Sequence, residues 1–293
     1  MKRYVIMAAI ALLAASCSNE SEELETETET LVPVTVQVND FSVSMEDPNT
    51  RATDVASYDG IKALTLAFYD TNGTEVYKTT QQKSDNTTYT TFGQFKLNLY
   101  KGSYTMVVVG RDYFANDVFT LTSPTEAAYT GAHARETFSA TQTVNITSTN
   151  PVNLSATLNR IVSKLVVLST DNRTEDAENI QVTFAKGGKS FNPTSGLALS
   201  DEGLTNTVSI SAAVGSSSTS ASYLFLASDE ESMDITIDVL DDQGNSISHK
   251  VVNNVPFKRN RSTKLTGPIY SASTTATFKV ETAWETETTV PFN

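Results

Sequence analysis

Residues 31–52 read LVPVTVQVNDFSVSMEDPNTRA, and the pattern within them sets the fold class. Val32, Val34, Val36 and Val38 alternate with polar residues, then Phe41, Val43 and Met45 continue on the opposite parity. That is a half-buried strand with a bulge near Asn39. The run EDPNTRATDVASYDG follows, rich in turn-forming residues and poor in large apolar ones, with Arg51 as its only basic residue. It reads as an exposed loop open to proteolysis. A core strand followed by a cuttable loop is a strand that can be removed after folding.

Lys2 and Arg3 precede an apolar run over residues 4–13, and Ala14, Ala15, Ser16 and Cys17 follow. A basic start, a short apolar core and small residues before a cysteine form a bacterial lipoprotein signal. Residues 1–16 are therefore expected to be removed and Cys17 to be acylated, anchoring the chain in a membrane through lipid. The apolar run is too short to cross a bilayer. Cys17 is the sole cysteine, which excludes an intramolecular disulfide. Residues 18–30, SNESEELETETET, are too polar to bury, so residues 17–31 read as a lipidated acidic tether. The formal charge of −13 becomes −15 once Lys2 and Arg3 are lost. That charge argues against nucleic acid and anionic membrane surfaces as partners.

The remaining length suits two domains, placed at residues 32–150 and 151–293. Threonine, valine, serine and tyrosine recur in short alternating segments separated by turn signals, as in β-sandwiches. Residues 61–69 (IKALTLAFY) form a strand, and Asp70-Thr71-Asn72-Gly73 turns it into a hairpin. The spacing around that turn does not fit an EF-hand, so no metal is expected. In residues 92–110, Phe95, Leu97 and Leu99 alternate, Lys101-Gly102 turns, and Tyr104, Met106 and Val108 continue. Ser123-Pro124-Thr125-Glu126 reads as a capping box, predicting one short helix to about Thr130. His133 and Arg135 have no nucleophile or base nearby in sequence and read as solvated loop residues. Residues 161–168 (IVSKLVVL) are apolar on both faces, as in a central strand. Residues 233–251 mirror residues 61–77 as strand, turn and strand, which suggests two related domains. Lys258, Arg259 and Arg261 form the one basic cluster and read as a solvated strand edge. At the C-terminus Phe278, Val280, Thr282, Trp284, Thr286, Thr288, Val290 and Phe292 share one parity. Residues 278–284 read as a closing strand, and Thr286, Thr288, Val290 and Phe292 as a segment that extends outward.

The pattern Leu97-x-Leu99-x-x-Gly102-x-Tyr104 with Val107-Val108-Val109 resembles the strand-turn-strand of transthyretin-like sandwiches. The lipobox Cys17, the valine-rich strand followed by PNTRAT at 48–53, TLNRIVSKLVV from Thr157 and VPFKRNRSTKLTG from Val255 together resemble the fimbrillin-like lipoproteins, subunits of type V pili. That resemblance implies an all-β fold of two tandem transthyretin-like Greek-key sandwich domains, with the short helix as a minor element. It also implies export to the outer membrane and cell surface. An arginine-specific protease would cut between Arg51 and Ala52 and release the strand bearing Val34, Val36, Val38, Phe41 and Val43. The C-terminal segment of a neighbouring pilus subunit would fill the groove, with Thr286, Thr288, Val290 and Phe292 as the candidate donor. Anchor subunits of such pili are not cut.

Burial of those five apolar side chains contributes roughly 8–15 kcal/mol at most, enough to hold the uncut strand in place. Cutting the loop makes its departure possible, and strand addition from a neighbour re-covers the apolar surface and free backbone groups. Two alternatives compete with a pilus subunit. A surface glycan-binding lipoprotein of a polysaccharide-uptake system would display aromatic platforms, for which Trp284 reads as core while Tyr89 and Tyr113 remain available. An enzyme is disfavoured: the acidic pairs Asp229/Glu230 and Asp241/Asp242 sit in turns, and no nucleophile elbow, phosphate loop or metal-ligand histidine pair occurs. No catalytic residue and no cofactor is expected.

Overall fold

The computed structural model describes residues 30–42, 53–54, 56, 58–85, 89–113, 118–131, 133–271 and 277–282. The first half comprises β1 (Val32–Ser42), β2 (Thr53–Asp54), β3 (Ala63–Tyr69), β4 (Glu75–Gln82), β5 (Gln94–Leu99), β6 (Gly102–Arg111), β7 (Phe119–Ser123), β8 (Glu126–Tyr129), β9 (Thr137–Ile146) and β10 (Val152–Arg160). The second comprises β11 (Ser163–Ser169), β12 (Asn179–Phe184), β13 (Ser190–Phe191), β14 (Leu204–Ser209), β15 (Thr219–Leu224), β16 (Glu230–Leu240), β17 (Ser246–Lys258), β18 (Ser262–Gly267) and β19 (Lys279–Thr282). No helix occurs among the described residues.

In the first domain β5, β1 and β10 form one layer, and β4, β3, β6 and β9 the other. Among the described residues the layers join where Asn159 and Arg160 of β10 meet Ser139 and Phe138 of β9. Between them lies a core that includes the β1 valines, Phe95, Leu97 and Leu99 from β5, Leu64, Leu66 and Phe68 from β3, and Met106 and Val108 from β6. The second domain repeats this plan. One layer runs β15, β11, β18, β19 and the other β14, β12, β16, β17, around Leu165, Val167, Ile180, Val182, Phe184, Ile235, Ile237 and Phe257. In each domain the first strand pairs in parallel with the last long strand, β1 with β10 and β11 with β18.

The relatedness expected of the two halves therefore holds, but its register does not. By strand order the counterpart of β3 is β12, whereas β16 and β17 occupy the places of β6 and β9. Hairpins look alike in sequence wherever they fall, so a strand-turn-strand pattern alone cannot fix which pair matches which. The expected boundary at Asn150-Pro151 also shifts. β10 belongs to the first sheet and buries Ala156 and Leu158 in the first core, so the chain passes to the second domain at Ile161 and Val162.

The short helix expected after Ser123 is instead a hairpin of β7 and β8. The local capping contact does form, with Ser123 Oγ accepting from Thr125 N at 3.2 Å. Yet Ala127 and Tyr129 alternate inward and are fully buried, and β8 also pairs with β13 of the second domain. Tertiary burial at period two overrides the local signal. The resulting three-stranded sheet bridges the domains over a third core, where Phe191 and Phe225 stack at 4.2 Å and Tyr129 lies 6.3 Å from Phe225. This explains why every residue of β3 is buried: Leu64, Leu66 and Phe68 face the first core, while Ala67 and Tyr69 face the third.

The segment bearing His133 and Arg135 is part of that junction, not a solvated loop. His133 Nδ1 lies 3.2 Å from Asn206 Oδ1, both residues flanking Ala134 are only half-buried, and Ala134 itself is buried in a bridge to Tyr223.

Candidate functional site

β1 is the central strand of its layer. Antiparallel pairing aligns Val32 with Leu99, Val34 with Leu97 and Val36 with Phe95, while parallel pairing on the other side aligns Val34 with Val152, Val36 with Leu154 and Val38 with Ala156. Val32, Val34, Val36 and Val38 are all at most 1% exposed. Their burial stabilises the strand by up to about 6–12 kcal/mol. The register slips between Val38 and Asp40, the bulge expected near Asn39, and beyond it the backbone of Phe41 pairs with Leu158 on one side and Thr53 of β2 on the other. Strand removal would thus open a slot between β5 and β10, with unpaired backbone groups on both walls.

The slip leaves Val38 N to donate to Gly93 O at 2.8 Å. Gly93 has a φ of +91°, and a Cβ there would stand 2.7 Å from Val38 O. Only glycine allows so close an approach in that conformation. Gln81, buried in β4, holds this corner by accepting from Gly93 N at 2.8 Å and donating to Gln94 O at 2.7 Å.

The chain that follows β2 is tied down separately. The Tyr58 hydroxyl donates to Glu136 Oε1 at 2.8 Å and accepts from Arg160 Nη2 at 2.9 Å. Arg160 and Glu136 pair at 2.7 Å with side chains only 7% and 11% exposed, and Lys83 Nζ donates to Tyr58 O at 3.0 Å. Arg160 ends β10, one wall of the slot, so the lock fastens the chain downstream of residue 52 to a strand that stays behind. Sequence reasoning missed Gly93, Gln81, Tyr58, Glu136 and Arg160, since their partners lie 12 to 102 residues away.

Cys17, Arg51, Ala52, Val43 and the candidate donor residues Thr286, Thr288, Val290 and Phe292 lie outside the described residues, as does Trp284. Of the closing strand expected at 278–284, residues 279–282 form β19, antiparallel to β18 with Val280 opposite Leu265. Phe278 packs on the second core and over Gly267, where a Cβ would meet its ring at 2.6 Å, whereas Val280 is exposed.

The basic cluster is not a bare edge. Lys258 pairs with Glu230 at 2.6 Å and Arg259 with Asp229 at 2.7 Å, so the acidic pair read from the sequence is its partner. In the hairpin turns, Asp70 Oδ1 accepts from Asn72 N and Thr74 N, and Asp241 accepts from Gln243 N and Asn245 N. A backbone bond from Thr74 is the main cause holding Asp70 below the usual carboxylate range, and a side-chain bond from Asn245 does the same for Asp241. These carboxylates serve their own turns. Tyr89 donates its hydroxyl to Gln82 O at 2.7 Å and leans on Phe92, and Arg111 lies over Tyr113, so neither ring is a bare platform.

Solved structures share this architecture. The fimbrial anchor protein Mfa2 from Porphyromonas gingivalis superposes with a TM-score of 0.52 at 10% identity, over 86% of this chain and 97% of that one. A candidate adhesin from Bacteroides ovatus gives 0.53 at 9% identity, over 88% and 96%. A candidate polysaccharide-binding protein (DUF1812) from Bacteroides thetaiotaomicron gives 0.52 at 9%, over 87% and 99%. The resemblance to fimbrillin-like proteins is thus matched at the level of the fold. No curated protein sequence matches the chain. One family profile spans residues 25–292, nearly the whole length, and the chain belongs to that family, the family of unknown function DUF6562.

Proposed function

We propose that this protein is a non-enzymatic structural or tip subunit of a fimbrium, exported as a lipoprotein on Cys17 and assembled by protease-triggered strand exchange, with adhesion as a further role. The observation that carries the reading is the position of β1, a central strand with buried valines that precedes Arg51 in the chain. An arginine-specific protease cuts after Arg51, β1 leaves, and the C-terminal segment of another subunit pairs with β5 and β10. The Tyr58 lock keeps the new N-terminal end from following β1 out. The fold shared with an anchor protein supports the placement among fimbrial components.

The test is limited digestion of the mature protein with an arginine-specific protease, followed by mass spectrometry and size-exclusion chromatography. First cleavage at Arg51, with concentration-dependent, detergent-resistant polymers, supports exchange. Cleavage elsewhere, or a cut protein that stays a folded monomer, overturns it and leaves an uncut anchor. A second reading, a surface glycan-binding lipoprotein, draws on the fold shared with the candidate polysaccharide-binding protein and is separated by binding to immobilised glycans.

A further inference from the structure

The chain carries one peptide twice. Residues 27–34 read ETETLVPV and residues 285–292 read ETETTVPF, six of eight positions being identical, with proline in the seventh place of both. The first occurrence ends within β1, where Val32 and Val34 are at most 1% exposed and Pro33 between them is exposed. The second lies outside the described residues, in the segment expected to act as donor. A related Val-Pro-Phe shows what the motif does inside this fold. In β17, Val255 and Phe257 are buried in the second core on either side of a half-buried Pro256. Such a strand turns its two apolar side chains inward across an outward proline.

Proline also limits where such a strand can sit. Val38 N donates to Gly93 O, so the even-numbered residues of β1 direct their backbone groups to β5 and the odd-numbered ones to β10. In the parallel register Thr35 turns toward the carbonyl of Val152 and Gln37 toward that of Leu154, and a covered carbonyl needs a donor. Pro33, which has no N–H, faces Asn150, ahead of the first residue of β10. A donor strand with Pro291 at the place of Thr35 or Gln37 would cover one of those carbonyls without a donor. The deeper of these two registers would also bury the Thr286 and Thr288 hydroxyls where Val32 and Val34 now lie.

With Pro291 at the place of Pro33, Asn293 brings its N–H to Val152, and neither carbonyl is covered without a donor. Val290 and Phe292 take the inward places opposite Leu99 and Leu97, while Thr286 and Thr288 stay outside the slot. Residues 285–293 reach only the place of Thr35, so Phe292, larger than the valine it replaces, has the vacated place of Val36 beside it. We infer that the donor is a second copy of this chain, entering in the deepest register that its proline allows, with Val290 in the place of Val32, Pro291 of Pro33 and Phe292 of Val34.

This inference rests on the strand exchange proposed above, and its test separates the two. Chains carrying Cys17→Ser and Lys96→Cys receive a second cysteine in the C-terminal segment, are digested with the arginine-specific protease and are resolved without reductant. Lys96 is exposed and stands opposite Thr35 in a non-hydrogen-bonded pair, whose Cα atoms at about 4.5 Å suit a disulfide. In the inferred register Asn293→Cys takes the place of Thr35 and links copy to copy; in the register four residues deeper Thr289→Cys does so instead. Expected are disulfide-linked oligomers from Asn293→Cys and none from Thr289→Cys. Polymers should be undiminished in Thr286→Asp and about tenfold fewer in Val290→Asp, which sets a charge at the place of Val32. A link from Thr289→Cys, no link from Asn293→Cys, or loss of polymers in Thr286→Asp overturns the register and leaves exchange standing. Polymers that Val290→Asp leaves unchanged also overturn the inference. Absence of polymers from the unsubstituted cut chain overturns exchange and the inference together.

Discussion

The two domains share one strand order yet treat their first strands differently. β11 runs into a connection that is held along its length: Asp171 accepts from Ile269 N, Tyr270 N and Ser271 N at 2.8 to 2.9 Å, and Arg173 donates to Ala177 O, Ile210 O and Ala212 O. β19 also covers the outer edge of its layer. β1 is likewise buried through its valines and paired on both sides, while among the described residues the chain between β2 and β3 is tied at Tyr58 and at Lys62, whose N donates to Arg111 O, and the first-domain layer has no counterpart of β19. Burial therefore does not distinguish the two first strands. Among the described residues, what differs is how the chain that follows each is held.

The comparison can be broken by substitution, taking the largest expected effect first. Glu136→Leu strands Arg160 without its buried partner and should lower first-domain stability by about 3–5 kcal/mol in denaturant melts. It should also quicken proteolysis near Tyr58. Asp171→Ala unpairs three backbone donors and should cost about 2–3 kcal/mol, while making Arg173 newly sensitive to an arginine-specific protease. A loss below about 0.5 kcal/mol, the range of an ordinary surface change, would mean that the second connection is not held as described. Gly93→Ala sets a Cβ against Val38 O in a left-handed conformation and should cost about 1–2 kcal/mol in the intact protein. In the exchange proposed above the penalty should change, since a donor would supply a different backbone at that point.

The smallest effect concerns the face of β3 turned toward the second domain. Tyr69 is fully buried with an unmatched hydroxyl, and burial, with a smaller contribution from Glu75, pushes its pKa up to about 12. Tyr69→Phe should be neutral or stabilise by up to about 1 kcal/mol. The folded protein holds this proton to about pH 12 whereas an unfolded tyrosine releases it near 10, so stability should fall as pH rises through that window. Melts from pH 9 to 12 should show a shallower fall for the variant. A steeper one would place a partner on the hydroxyl.

Much of the architecture was legible because burial at period two leaves a strong trace. The β1 valines, the bulge after Val38, the Asp70 and Asp241 hairpins and the central character of β11 all follow from local pattern. What escaped depended on partners distant in sequence. Ala127 and Tyr129 become strand only because β13 and the third core receive them. His133 and Arg259 look solvated until the other domain, or an acidic turn 30 residues upstream, is placed beside them. The candidate slot was half visible: the buried β1 valines were readable, while Gly93, Gln81 and the Tyr58 lock became evident only in three dimensions.

The parallel pairing of first and last strands also sets a timetable. Val34 meets Val152, and Lys164 meets Ser262, so each sheet closes only after roughly a hundred further residues have emerged. Chain delivered from its N-terminus, by ribosome or secretion channel, must therefore wait with β1 unpaired on its β10 side. Hairpins such as β3 and β4 form early, and closure of the first domain is the slow, late event. The strand exchange proposed above would be a shortcut to the same final step.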